Sequence, residues 1–201
     1  MKYFILIFAF SYISFLYSQD SSLQITPDGI FAKKYLTINP ELDFLSAFED
    51  TLFQDELEKH TICKINFDFN FDGIQDIALT DHYLWGAHIG PWEIYLGIGN
   101  SKYLFVGEIW FHNDAVRFDS LANGKSNVIV FDRAGGANVD IVEYSLSKDG
   151  INQFERNLLQ FESFEKMNEA FKEYRFQTFK DSCISVKYYL KNREIKFRED
   201  F

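Results

Sequence analysis

Cysteine, proline and basic residues are scarce in this chain of 201 residues. Two cysteines cannot build the several bridges of a small disulfide-rich protein, and no Cys-x-x-Cys pair is present. The four histidines show no i, i+4 pair, so the sequence contains no zinc motif, and the G-x-S-x-G signature of a hydrolase is also absent. A net charge of −10 argues against nucleic acid and anionic membranes as partners, and leaves cations and basic proteins.

No apolar run is long enough to span a bilayer. Lys2 precedes an apolar run over residues 3–17, whereas a spanning helix needs roughly 20 residues. A positive start, a hydrophobic stretch and Ser18 before a polar segment are typical of a signal peptide. We therefore predict a signal over residues 1–18 and a periplasmic or extracellular protein without membrane insertion after cleavage. The alternative is an uncleaved N-terminal anchor.

Aromatic residues are abundant, at 18% of the chain with 23 Phe and 11 Tyr. Such side chains favour strands and fill the space between sheets. We predict one mostly β (α+β) domain over residues 19–201, built as a propeller-like fold or as stacked antiparallel sheets. Predicted strands cover residues 63–67, 77–80, 92–97, 103–111, 128–131 and 139–146, and a hairpin is predicted over 184–197. Two short helical segments are predicted, one after the Asn39-Pro40 start and up to residue 59, the other over 163–177.

An internal repeat is visible at a shift of about 50 positions. Asp68 matches Asp119 and Gly73 matches Gly124 at a shift of 51, and Tyr95 matches Tyr144 after a two-residue adjustment. The two degenerate units cover residues 66–107 and 117–156. A period of this length that is built of short strands is typical of propeller-like or stacked-sheet repeats.

Residues 68–76 read D-x-N-x-D-G-x-x-D. Ca²⁺ takes roughly six to eight oxygen ligands, and oxygen donors at alternate positions of a tight loop converge on one point. An EF-hand would continue into a helix, but the residues that follow here are typical of a strand. The alternative is a solvated turn between two strands. The predicted Ca²⁺ ligands are Asp68, Asn70, Asp72, the carbonyl of Ile74, and Asp76.

At these residues the sequence resembles the FG-GAP (VCBS-type) calcium-loop repeats of β-propellers. More narrowly, it resembles small exported bacterial proteins with a calcium-binding, propeller-like fold that inhibit peptidoglycan hydrolases, including immunity proteins against lysozyme-like effectors. The resemblance is strong over residues 66–107 and weaker over the second unit. The second loop, residues 119–125, lacks the middle and last carboxylates, so no second ion is expected there.

Two glycine-containing loops are candidates for contact with a partner. The loop over residues 82–92 holds aromatic and His side chains beside glycines, which is typical of contact loops. Its match in the second unit, residues 134–138, is expected on the same side of the molecule. The alternative is that Trp85 and Trp92 cap the core. The candidate contact residues are Tyr83, Trp85, His88, Trp92, Gly136 and Asn138.

Cys63 and Cys183 form a candidate disulfide in an oxidising compartment, and the alternative is two buried free thiols. Our functional hypothesis is a non-enzymatic, Ca²⁺-binding module that docks onto a protein partner, with a peptidoglycan hydrolase as the partner that the resemblance implies. A calcium-dependent carbohydrate-binding or adhesion module is the second hypothesis, with Trp85 and Trp92 stacking on sugars. An enzyme of unknown type is the third.

Overall fold

A computed structural model of the chain describes residues 22–25, 31–49, 59–86 and 89–186. The predicted signal, residues 50–58, His88 and most of the predicted C-terminal hairpin lie outside the described residues. The strands are β1 (Ser22–Ile25), β2 (Phe31–Thr37), β3 (Thr61–Phe67), β4 (Asp76–Asp81), β5 (Gly90–Gly99), β6 (Lys102–Phe111), β7 (Val116–Leu121), β8 (Lys125–Gly135), β9 (Asn138–Ser147), β10 (Gly150–Gln160) and β11 (Ser182–Ser185), and the helices are α1 (Pro40–Glu49) and α2 (Phe164–Glu173). In this part of the chain no helix is long and apolar enough to cross a membrane.

The strands form two antiparallel sheets, which confirms the mostly β class and the stacked-sheet alternative. A seven-stranded sheet has the order β1-β2-β6-β5-β4-β3-β11, and a four-stranded sheet has the order β10-β9-β8-β7. The run β3 to β6 and the run β7 to β10 are each an up-and-down meander of four neighbouring strands. No closed propeller is formed by the described residues.

The matched positions of the two sequence units fall on equivalent strands of these meanders. Tyr95 lies on the third strand of the first meander, and Tyr144 lies on the third strand of the second. A register shift lies beside Tyr95 in the β5–β6 pair, and another lies beside Tyr144 in the β9–β10 pair. Because a bulge bends and twists its strand, both units twist at the same place.

The largest hydrophobic cluster lies between the two sheets. Trp92 and Phe111 stack in parallel at 5.3 Å within it, and Phe118 meets Phe111 edge-on. Alternate residues of the strands point into it, as the two-residue period of a strand requires. Its buried members include Cys63, Ile65, Phe69, Ala78, Ile94, Leu96, Val106, Ile109, Val116, Val128, Val130, Val142 and Leu146.

The helices cover two other apolar faces. At the start of α1, the Asn39 side chain accepts a hydrogen bond from the Leu42 N–H (3.2 Å), as predicted for its cap. The Ser163 hydroxyl accepts from the Lys166 N–H (3.3 Å) at the start of α2. This second helix ends at Glu173, earlier than the predicted 177, because Arg175 has the left-handed φ of +51°.

Cys63 and Cys183 form the predicted disulfide. They lie directly opposite each other in the antiparallel register of β3 and β11. The bridge therefore joins β11, the edge strand of the seven-stranded sheet, to its neighbour β3 across a sequence separation of 120.

Candidate functional site

The predicted cation loop connects β3 to β4. The last ladder pair, Phe67 with Asp76, closes the loop at its base. Gly73 has a φ of +85° and Phe71 a φ of +56°, so the chain turns sharply twice within the loop. The predicted sequence of loop followed by strand, without an EF-hand helix, is what the structure contains.

Side-chain oxygens fold inward over the loop by accepting hydrogen bonds from its backbone. Asp68 accepts from the N–H groups of Asp72 (3.1 Å) and Gly73 (2.8 Å). The Asn70 side chain also accepts from the Asp72 N–H (3.2 Å), and the Asp72 carboxylate accepts from the Ile74 N–H (3.0 Å). The side chains of its first, third and fifth positions are thus folded back over the loop's own backbone.

Asp76, at the base of the loop where β4 begins, is fully buried. Its two oxygens accept from the N–H groups of Phe69 and Gly97, each at 2.7 Å. Burial raises the pKa of this carboxyl to about 7, against the lowering effect of both N–H groups, and the negative charges of Asp72 and Asp68 raise it further. A cation bound beside Asp76 would favour the ionised carboxylate and lower this pKa.

The positively charged side chain of Lys148 contacts this loop. Lys148, in the hairpin between β9 and β10, places its ammonium 2.9 Å from an Asp72 carboxylate oxygen. Burial raises the pKa of Asp72, but the hydrogen bonds from Lys148, the Ile74 N–H and the Asn70 side chain outweigh it, so the pKa lies below its usual value. A Cβ on Gly124, at the tip of the β7–β8 hairpin, would lie 3.5 Å from the Asp72 Cβ. Two hairpins of the second unit therefore pack against the loop.

The matching loop of the second unit is a tight hairpin turn. Asn123 and Gly124 both have a φ of +64°, which is the backbone of a short β-hairpin. Asp119 lies on β7 and accepts a hydrogen bond from Arg117 at 2.9 Å. Its carboxylate is thus paired within its own strand, unlike that of Asp68.

The aromatic loop divides into exposed and buried residues. Tyr83 lies in a short 3-10 turn, 56% exposed, with its ring 4.6 Å from that of His60. Trp85 is half-buried, covers Trp92 at 5.9 Å, and donates from its indole nitrogen to the Thr80 hydroxyl (3.0 Å). Trp92 is 0% exposed and belongs to the inter-sheet core. Its assignment as a contact residue is therefore wrong, and the alternative that it caps the core holds.

Gly136 and Asn138 lie at the turn between β8 and β9, where Gly136 is exposed and has a φ of +62°. This turn is at the same end of the molecule as the aromatic loop, because Ile89 lines one cleft together with Asp132 and Asp140 of β8 and β9. The two loops are thus neighbours, as predicted. The cation loop lies at the opposite end of β4, roughly 17–20 Å away for a strand of this length.

Sequence reasoning missed the cleft between these loops. It has a volume of about 150 Å³, and Arg156 there donates to Asp140 at 2.5 Å. Asp132 and Asp140 are directly opposite each other on β8 and β9. No local motif marks these residues, because they become neighbours only through the strand register. The cleft is lined by Ile89, Trp110, Val130, Asp132, Asp140, Val142, Tyr144, Gln153 and Arg156.

Comparisons of the chain with protein-family models, with curated proteins and with solved structures found no match. The resemblance to FG-GAP repeats therefore stays a prediction that rests on the residues of the cation loop.

Proposed function

We propose that this is an exported, non-enzymatic protein that binds one Ca²⁺ in the loop between β3 and β4. The observation that carries the proposal is that oxygen side chains at the first, third and fifth loop positions fold over the loop backbone, while the buried carboxylate of Asp76 lies at the base of the loop. The residues fit a hard cation, since all their donors are oxygens, and the Lys148 ammonium already lies against one of them. The ligands would be Asp68, Asn70, Asp72, the Ile74 carbonyl and Asp76.

Bound Ca²⁺ would supply positive charge that offsets repulsion among the carboxylates. The protein's own residues hold the loop against the second unit, because Gly124 and Lys148 lie in two hairpins that contact Asp72. We infer that the ion has a structural role, since the candidate contact loops lie at the other end of β4.

The ligand assignment is tested by isothermal titration calorimetry with Ca²⁺. Asp72→Asn should weaken binding strongly, because it removes a carboxylate from the centre of the donor set. Asp119→Asn is the control, since Asp119 matches the first loop position, Asp68, in the second unit but is paired with Arg117. Equal binding by both variants would show that the ion is not held where we place it.

For the biological role we propose docking onto a protein partner through the exposed end that carries Tyr83 and Gly136. The net charge of −10 favours a basic partner. A peptidoglycan hydrolase is the most concrete candidate, and the resemblance of the cation loop is its support. An exported location is compatible with the Cys63–Cys183 disulfide.

This role is tested by the inhibition of purified lysozyme-like hydrolases on peptidoglycan. Tyr83→Ala should weaken inhibition, whereas Leu121→Ala should not, because Leu121 is similarly exposed (49%) but ends β7 near the cation loop. Turnover of peptidoglycan by the protein alone would contradict the non-enzymatic assignment.

Carbohydrate binding is the second candidate, and the cleft of Asp132, Asp140, Tyr144 and Arg156 favours it. Carboxylates and an arginine beside aromatic residues provide hydrogen bonds and stacking for a sugar. Specific retention on a glycan array that is lost in Asp140→Asn would support it over protein docking.

A further inference from the structure

Four metal-binding side chains converge around the disulfide, far from the cation loop in the fold. Cys63 on β3 and Cys183 on β11 supply the two sulfurs. His82 is the first residue after β4, and Asp181 directly precedes β11. One ligating atom from each of these residues lies within 4.8 Å of all the others.

The contacts inside this group leave the side chains available as ligands. His82 Nε2 is 3.8 Å from an Asp181 carboxylate oxygen, which is too long for a hydrogen bond. The Cys183 sulfur is 3.6 Å from the same oxygen, but a disulfide sulfur carries no hydrogen, so this contact is not a hydrogen bond either. The imidazole is 46% exposed and the carboxylate 25% exposed, so ions reach them from solvent. Cys63 is fully buried, but Cys183 is exposed, so a reductant reaches the disulfide from the Cys183 side.

We infer that these four residues form a Zn²⁺ site when the disulfide is reduced. Zn²⁺ prefers four tetrahedral ligands from Cys, His and Asp, with bonds of about 2.0–2.3 Å. Such a tetrahedron has ligand separations of about 3.3–3.8 Å. The four atoms already lie within 4.8 Å of one another, so after reduction the two sulfurs must move apart while the His82 and Asp181 atoms move closer to them. The donor set contains two sulfurs and one nitrogen, which selects Zn²⁺ over Ca²⁺.

The chemistry balances through a dithiol reductant. Thiol–disulfide exchange transfers two electrons and two protons to Cys63 and Cys183, breaks their S–S bond, and leaves a disulfide on the reductant. Zn²⁺ then displaces the two thiol protons into solvent, and His82 Nε2 and an Asp181 oxygen complete the site. Disulfide and metal are mutually exclusive, and either one holds β11 against β3.

The test uses the full chain, reduced with a phosphine under anaerobic conditions and titrated with Co²⁺ and then with Zn²⁺. We expect one Co²⁺ per chain, with the visible bands of a tetrahedral ion and the near-ultraviolet charge transfer of two thiolates, and its displacement by Zn²⁺. The oxidised protein should show none of these signals. His82→Ala and Asp181→Asn should each weaken Co²⁺ binding at least about tenfold. Removal of a residue that only hydrogen-bonds a metal ligand already lowers metal affinity about 10- to 100-fold, and removal of a ligand itself should cost no less.

The chain offers a matched control pair. His112 and Asp114 are also a surface His–Asp pair, with side chains 42% and 59% exposed, but no cysteine joins them. His112→Ala and Asp114→Asn should leave Co²⁺ binding unchanged. Asp72→Asn should do so too, which separates this site from the proposed Ca²⁺ site.

Two outcomes would overturn the inference. One is a reduced wild-type protein that binds no ion. The other is Co²⁺ binding that His82→Ala does not weaken, which would indicate that the two thiolates bind the ion in an unfolded chain. If reduction unfolds the protein, circular dichroism decides, because Zn²⁺ should then refold the wild type and fail to refold His82→Ala. Absence of refolding by the wild type would equally reject the site.

Discussion

At the scale of single residues, we expect the half-buried carboxyl of Glu93 to lower stability. It accepts a hydrogen bond from the Tyr95 hydroxyl at 2.5 Å and lies directly opposite Glu108 on the neighbouring strand. Burial raises its pKa above the ordinary value of 4.5, the Tyr95 hydrogen bond lowers it in part, and the charge of Glu108 raises it further.

We predict that Glu93→Gln raises the melting temperature at pH 8 and has little effect at pH 4. Below the ordinary pKa, Glu93 is protonated in both the folded and the unfolded state, so it does not lower the free energy of unfolding. As pH rises, Glu93 ionises first in the unfolded chain, and the loss of stability grows until the carboxyl of the folded protein also ionises. Thermal unfolding at both pH values checks this, with the exposed Glu162→Gln as the control. A gain of equal size at pH 4 and pH 8 would refute the explanation.

A second residue-scale prediction concerns Gly90. A Cβ at this position would clash with the indole ring of Trp85. Gly90→Ala should therefore displace Trp85, break its bond to Thr80, and lower the free energy of unfolding by about 1–3 kcal/mol. Gly86→Ala is the matched control, since its Cβ would meet only the Ile89 carbonyl at 3.6 Å. Urea unfolding with no difference between the two variants would contradict this packing.

At the scale of elements, the predictable strands were those with buried apolar runs. β3 to β6, β8 and β9 were predicted from their sequences, because their side chains alternate into the core or are buried throughout. β10 was missed since most of its side chains are exposed at a sheet edge, including Phe154 and Leu158. Hydrophobic periodicity cannot mark a strand whose side chains are not buried.

The loop between β3 and β4, followed by a strand, was predictable because its residues lie within one short segment. Its binding of a cation stays a prediction. The Cys, His and Asp group was not predictable, because Cys63, His82 and Cys183 come from three elements and meet only through strand register. The exposure of the candidate contact residues was predicted in part. Tyr83 and Gly136 are exposed as expected, whereas Trp92 is buried because β5 occupies the centre of its sheet.

The hairpin between β9 and β10 yields an element-scale prediction. If Lys148 competes with Ca²⁺ for Asp72, Lys148→Gln should increase Ca²⁺ affinity. An exposed ion pair contributes about 0.2–1 kcal/mol, so the expected gain is about 1.4- to 5-fold. Calorimetry checks this against Lys166→Gln, which removes a surface ion pair with Glu169 on α2. Weaker Ca²⁺ binding by Lys148→Gln would show that Lys148 supports the site instead of competing with the ion.

At the scale of the whole molecule, two meanders face each other across one aromatic core. The Cys63–Cys183 disulfide holds one edge of the larger sheet. The disulfide closes a loop over a sequence separation of 120 residues. In the chain-entropy model such a loop is worth about 4–5 kcal/mol. Cys63→Ser with Cys183→Ser should therefore melt well below the oxidised wild type in calorimetry. A melting temperature within a degree or two of the wild type would show that β11 is held by packing alone.

We propose that a cation in the loop between β3 and β4 holds the two meanders together at one end. Thermal unfolding of the wild type in excess Ca²⁺ and in excess chelator tests this, because an ion that binds only the folded state raises its stability by mass action. We predict a higher melting temperature in Ca²⁺, with no such difference in Asp72→Asn. Identical melting curves of the wild type under the two conditions would contradict the claim.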